Sequence, residues 1–253
     1  SLDLKVGENV FCTSLTNPDM LCFAHSTITA LLNLDSVKHA ASLTGGPIGE
    51  ALTKFCLSAA EPEKHGLVRW LTCEIFDDNE TPHAQGRDAA VFMRRLLQQL
   101  HSEAWNNEDV FSQDLEVSSQ CPRCGGGRTS RRREVMSFLQ KKESRESRNE
   151  AGGCVAGEGC TDGEIRRTVL LNSPDAIVKV NTCRRDWRTY GESAKIPYDL
   201  RSRGGTVYNL KFCLVHLGLS PSGGHFVTVL TNPLDREQCV LVDDGKVRRM
   251  DRE

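Results

Sequence analysis

Apolar positions in the first hundred residues recur at helical spacing. In Cys22–Leu34 (CFAHSTITALLNL) they fall at Phe23, Ile28, Leu31 and Leu32, which predicts a buried helix. The Asn17-Pro18-Asp19 cluster ahead of it is turn chemistry, so Cys22 is expected at or just before the helix N-terminus. Further helices are predicted from about Ile48 to Ala59 and from Asp88 to Leu100, the latter with a stripe of Ala89, Phe92, Met93, Leu96 and Leu100. The second half changes period. Val110–Ser119, Val135–Leu139, Thr168–Leu171 and Ala176–Val180 read as strands, and Tyr208–His216, His225–Thr231 and Cys239–Val242 read so more strongly. Short turns such as Ser220-Pro221-Ser222-Gly223-Gly224 separate the last three, which predicts antiparallel pairing. Within the second half, between the strands Val135–Leu139 and Thr168–Leu171, Lys141–Gly163 is almost free of apolar residues and is expected to be a mobile insertion. Helices first and strands afterwards predict an α+β fold.

Composition narrows the function classes. Thirty-two Lys+Arg against 34 Asp+Glu leave a net charge of -2, which argues against nucleic-acid binding through overall charge. No apolar run approaches the roughly 20 residues of a membrane span. The start, Ser1-Leu2-Asp3-Leu4-Lys5, lacks the basic and apolar stretches of a signal peptide. The 11 cysteines are odd in number and mostly sit singly in apolar segments, as Cys56, Cys73, Cys213 and Cys239 do. That pattern predicts a reducing, intracellular compartment (cytoplasm or nucleus), with a few cysteines kept for metal or catalysis.

Four residues carry candidate chemistry. Cys22 at a helix start would face orphan N–H groups and the positive end of the macrodipole, which favour the thiolate; a buried structural cysteine is the plainer alternative. His225 follows Gly223-Gly224 at the mouth of a strand, and could be a base beside a cleft or an ordinary strand-edge histidine. Asp243 and Asp244 end the next strand. Either could orient the imidazole through Nδ1–H, or both could be hairpin chemistry, since Asp-Gly is a strong turn signal. A cysteine at a helix start with a distant histidine and an acid is a candidate cysteine-hydrolase set.

With these residues in hand, the chain from about Asn17 to Val247 resembles the ubiquitin-specific protease family of deubiquitinases. Six segments lie in the family's order: LCFAHSTITALLNL, GRDAAVFMRRLL (Gly86–Leu97), Cys121-Pro-Arg-Cys124, SPDAIVKVNTCRRDW (Ser173–Trp187), IPYDL (Ile196–Leu200), and GGHFVTVL followed by VDDGKV. Asp19-Met20-Leu21 stands where the family reads Gly-Asn-Thr, His25 replaces its Asn, and Arg87 and Val91 replace its Gln and Glu, which marks a divergent, compact member.

The resemblance implies a papain-like cysteine protease with a helical thumb (about 1–105), reduced β fingers (about 106–185, including the insertion 141–163) and an antiparallel β palm (about 186–253), together one catalytic domain over 1–253. It implies Cys22 as nucleophile, His225 as general base, Asp243 as orienter with Asp244 as the alternative acid, and Asn17 as oxyanion donor. Asp88, Phe92, Gly223 and Gly224 would contact substrate. The implied reaction hydrolyses isopeptide or peptide bonds after the C-terminal Gly-Gly of ubiquitin, with no catalytic cofactor. Alternatives are a protease for another ubiquitin-like modifier and an inactive ubiquitin-binding scaffold. The expected partner is ubiquitin or a ubiquitin-conjugated protein; neither membrane nor nucleic acid is expected, and the chain is expected to be a monomer.

Cys121-x2-Cys124 has the spacing of one knuckle of a tetrahedral zinc site, with glycines beside it for the tight turn. Cys154 and Cys160 are the candidates for a second pair, giving a structural Zn2+ site; the alternative is a decayed site in which the first pair survives without metal. The arginines at 128, 131, 132 and 133 are expected to form a solvated face. Because Ser1 is not Met and the chain stops soon after the aspartate segment, truncation at both ends is expected.

Overall fold

The computed structural model describes residues 15–16, 20–76, 88–103, 111–121, 124–139, 165–181, 198–202, 204–220, 223–232 and 238–251. Five helices come first, α1 (Cys22–Leu31), α2 (Asp35–Leu43), α3 (Pro47–Leu57), α4 (Glu61–Phe76) and α5 (Ala89–Glu103). The strands follow as β1 (Gln113–Gln120), β2 (Gly127–Glu134), β3 (Ser137–Leu139), β4 (Ile165–Leu170), β5 (Lys179–Asn181), β6 (Asp199–Arg201), β7 (Val207–Asn209), β8 (Phe212–Ser220), β9 (Gly223–Thr231), β10 (Gln238–Asp243) and β11 (Lys246–Asp251). The fold is α+β.

The chain divides into two compact units. The first is assembled from residues 1–110, 183–198 and 209–253, the second from 111–182 and 199–208. In the first unit, α1 is buried on every side from Phe23 to Leu31, as expected of a helix without a polar face. Helix α5 buries its stripe of Ala89, Phe92, Met93, Leu96, Leu97 and Leu100. Phe23, Phe76 and Phe92 form a trio, with edge-to-face Phe23–Phe92 centroids 5.6 Å apart and Phe76–Phe92 at 5.9 Å. The Asp88 carboxylate caps α5 by accepting from Ala90 N–H at 2.7 Å. The sheet of this unit runs β11-β10-β9-β8, all antiparallel, around Leu230, Val240 and Val242.

The second unit holds the sheet β2-β1-β4, also antiparallel, and the small pairs β3-β5 and β6-β7. β1 alternates cleanly, burying Gln113, Leu115, Val117 and Ser119. The last three strands pair antiparallel as expected, whereas β3 and β5 pair in parallel. Strands distant in sequence need no hairpin between them, so turn chemistry does not set their direction. The segment Tyr208–His216 is two strands, β7 and β8, broken at Leu210 and Lys211. The expected insertion 141–163 lies outside the described residues.

Candidate active site

Cys22 is the first residue of α1, and Leu21 at the N-cap offers no side-chain cap. The N–H groups that a cap would have taken remain near the sulfur: those of Phe23 and of Cys22 itself pull the thiol pKa down, together with that of Phe226 on β9. Burial nevertheless outweighs them and pushes the Cys22 thiol above its ordinary value, with the Asp244 charge adding to the rise. The expected thiolate preference is therefore overturned, because helix-end N–H groups lose to desolvation in this half-buried position.

Two hydrogen bonds fix α1 on β9. Ser26 Oγ donates to the Phe226 carbonyl at 2.9 Å, and buried Thr228 Oγ1 donates to the Ser26 carbonyl at 2.8 Å. Both reach across about two hundred residues of sequence. They hold the helix that begins with Cys22 against the strand that carries His225. The sequence reading placed Ser26 only within a motif and missed Thr228; a lone threonine in an apolar strand gives little signal.

His225 Nε2 lies 2.7 Å from Asp243 Oδ1, each side chain 33% exposed. The histidine is near the start of β9 and the acid at the end of β10, neighbouring antiparallel strands. The bond to Asp243 uses Nε2 where Nδ1 was expected, and in the tautomer that donates to Asp243 the lone pair lies on Nδ1. Asp244 Oδ2 stands 3.7 Å from the same nitrogen. Asp243 pairs with Lys246, leaving Asp244 and Gly245 as a two-residue hairpin loop, and Asp244 takes the positive φ of 44° that such a loop requires. The turn thus brings both acids to the imidazole, one through a short bond and one at longer range.

The hairpin ahead of His225 is irregular. Leu217 pairs with His225, but the next pair is Ser220 with Gly223, with a register shift between. Gly224 has φ +154°, and a Cβ there would strike the His216 ring and stand 2.8 Å from the Leu217 carbonyl oxygen. Glycine is thus required at 224 by close packing.

Other expected site residues fall elsewhere. Phe92 is fully buried against Phe23 and Phe76, so it supports the core and presents no surface to a substrate. Asp88 serves as the α5 cap. Asn17 lies outside the described residues. Met20, two residues before Cys22, has φ 57° and is 69% exposed. A Cβ in that left-handed conformation costs energy, typically about 1–2 kcal/mol.

In the second unit, Cys121 is buried and Cys124 exposed. Gly125 N–H donates to the Cys121 carbonyl at 3.0 Å and Cys121 N–H to that of Gly126 at 2.8 Å. Gly125 holds φ +71° with open space around it, the tight turn that a knuckle needs. Cys154 and Cys160 lie outside the described residues. Among the described residues, the cluster of metal-ligating types is His225, Asp243 and Asp244, whose ligand atoms all lie within 4.8 Å of one another. No described helix is long and apolar enough to cross a membrane.

Three solved structures share this architecture. A chain of the SAGA DUB module Ubp8/Sgf11/Sus1/Sgf73 bound to monoubiquitin matches 97% of this chain and 67% of its own length, with a TM-score of 0.69 and 17% identity. The Ubp8/Sgf11/Sus1/Sgf73 module bound to ubiquitin aldehyde matches 95% and 66%, with a TM-score of 0.66 and 17% identity. The chain has the ubiquitin-specific protease fold. A third Ubp8 module structure matches it at a TM-score of 0.63 and 19% identity, over 95% of this chain and 64% of the other. The present chain therefore spans about two thirds of the length of these three chains. No protein-family model and no curated protein matches the sequence. The backbone thus carries the ubiquitin-specific protease fold at 17–19% sequence identity.

Proposed function

We propose that this chain is a thiol-dependent deubiquitinase. The observation that carries the reading is the His225–Asp243 hydrogen bond of 2.7 Å on β9 and β10, with the Cys22 helix pinned to β9 by Ser26 and Thr228. Similarity to structures of Ubp8 modules bound to monoubiquitin and to ubiquitin aldehyde supports ubiquitin as the partner.

In this reading Asp243 holds the imidazole through Nε2, and Nδ1 takes the proton of Cys22 as the sulfur attacks the carbonyl carbon of the terminal glycine. His225 then gives that proton to the leaving lysine amine as the C–N bond breaks. Water, activated by the same nitrogen, hydrolyses the thioester and restores the thiol. Asn17 would donate to the oxyanion, an effect typically worth about 10²–10³ in rate. Cys121, Cys124, Cys154 and Cys160 would hold a structural Zn2+ in reduced fingers. The first unit would correspond to thumb and palm, the second to fingers. A reactive thiol suits the reducing, intracellular surroundings we assign to it.

A second reading, a ubiquitin-binding scaffold without turnover, draws on the raised Cys22 thiol and on the left-handed Met20 beside it. One experiment separates the two. Ubiquitin carrying a C-terminal propargylamide should form a covalent adduct with the chain, lost in Cys22→Ala. Ubiquitin binding by calorimetry without any adduct would favour the scaffold. Warheads on other ubiquitin-like modifiers decide which tail is read.

A further inference from the structure

One turn of α4 reaches two parts of the candidate active site by separate routes. Glu61 and His65 stand four residues apart and so share a helix face. Glu61 Oε1 accepts from the Thr16 backbone N–H and from Thr16 Oγ1, both at 2.7 Å. His65 Nε2 lies 3.3 Å from Thr16 Oγ1 and 3.4 Å from Glu61 Oε1. Thr16 is thus gripped at both backbone and side chain. Leu15, just before it, is buried and donates its N–H to the Asp244 carbonyl at 3.2 Å. The pair Leu15–Thr16 is therefore bonded to α4 on one side and, on the other, to the turn that follows Asp243. The second route runs through α1: the His65 ring lies 5.3 Å from that of His25, three residues after Cys22.

We propose that Glu61 and His65 form a positioning clasp, which holds Leu15–Thr16 against the Asp243–Asp244 turn and so sets the orientation of the His225–Asp243 pair relative to the Cys22 helix. The inference rests on the cysteine-protease reading of that pair. The clasp touches neither substrate nor reacting atoms and acts only through the elements it aligns. Its strength comes from a carboxylate accepting two bonds, which are charge-assisted and stronger than neutral ones. The Thr16 N–H holds the Glu61 carboxyl below its ordinary range, so the acceptor stays ionised at neutral pH. A shift of a few tenths of an ångström in a general base is felt in kcat more than in KM, because the base acts only as bonds change.

The test compares Glu61→Ala, Glu61→Gln and Thr16→Val with the unaltered chain. Hydrolysis of a fluorogenic ubiquitin C-terminal amide gives kcat and KM, and NMR of the His225 ring protons gives its titration. Glu61→Ala should lower kcat about tenfold with KM within about twofold, and should move the His225 titration. Glu61→Gln keeps an acceptor oxygen for the Thr16 N–H and should restore most of kcat. Thr16→Val keeps the N–H and should show the smaller loss. Unchanged kcat and an unmoved His225 titration in Glu61→Ala would overturn the clasp. So would equal losses in the Ala and Gln variants that track a common fall in Tm. If the unaltered chain fails to cleave ubiquitin, the deubiquitinase reading falls alone, because the His225 titration still decides the clasp.

Discussion

The Cys22 sulfur is subject to opposing influences. N–H groups of Phe226, Phe23 and its own residue stabilise the thiolate, while burial and the nearby Asp244 carboxylate oppose it, and burial prevails. The raised pKa favours the neutral thiol of Cys22 over the thiolate. Its alkylation by iodoacetamide should therefore rise on the alkaline side of neutrality, later than an ordinary thiol. Asp244→Asn removes a negative charge that disfavours thiolate, so the whole profile should move to lower pH. An unmoved profile would show that Asp244 does not act on the sulfur. Met20 offers a second residue-level test. Its side chain is exposed and its φ is 57°, so Met20→Gly relieves strain and removes little packing. The expected gain is about 0.5–1 kcal/mol, read from urea unfolding, the relief being partly offset by glycine's greater freedom when unfolded. A loss of stability would mean that Met20 makes contacts worth more than its strain.

At the scale of elements, the α1–β9 junction holds the helix of Cys22, the proposed nucleophile, against the strand of His225, the proposed base. Thr228→Val removes one hydroxyl and keeps the shape, leaving the buried Ser26 carbonyl short of a donor. The expected cost is about 1–3 kcal/mol of stability. A fall in kcat should accompany it, and an unchanged Tm with unchanged kcat would show that the junction is held by packing alone. This junction was only half legible in sequence. The apolar run of α1 announced a buried helix and Gly223-Gly224-His225 announced a strand mouth, but nothing announced that they bond to each other. β2 was hidden for a different reason. Its residues are nearly all exposed, with no apolar alternation. What sustains it besides the ladder with β1 is cross-strand charge: Arg133–Asp114 at 2.8 Å and Arg131–Glu116 at 3.4 Å. Arginines read as a plain solvated face thus form an edge strand. β11 escaped similarly, since KVRRMD has little period-two pattern. α4 was obscured by Pro62 and Gly66, both poor helix formers, and is held by Val68, Leu71 and Ile75 in the core. Which imidazole nitrogen meets Asp243 depends on the distance between two strands, which no residue type encodes.

In the whole molecule, the candidate active site and the candidate zinc knuckle belong to different compact units: Cys22, His225 and Asp243 to the first, Cys121 and Cys124 to the second. If the four cysteines hold Zn2+, chelation should remove about one equivalent of metal and destabilise the second unit selectively. Hydrogen exchange would then quicken in β1, β2 and β4, while the alkylation rate of Cys22 stays as it was. Purified protein without stoichiometric zinc, and with exchange unaffected by chelator, would count against the site.

The first unit is not contiguous, and its key bond joins Ser26 to Phe226 over a separation of 200 residues. Closing so long a loop is entropically costly, and contacts of this range form late in folding. On the ribosome, Cys22 emerges long before the strand its helix is bonded to, and meets neither His225 nor Asp243 until β9 and β10 have been made. If Cys22 is the nucleophile of the proposed protease, a nascent or partly folded chain carries the cysteine without the rest of the site. In that reading, appearance of activity would be a clock for completion of the site, and a half-made copy could not trim ubiquitin from the machinery around it.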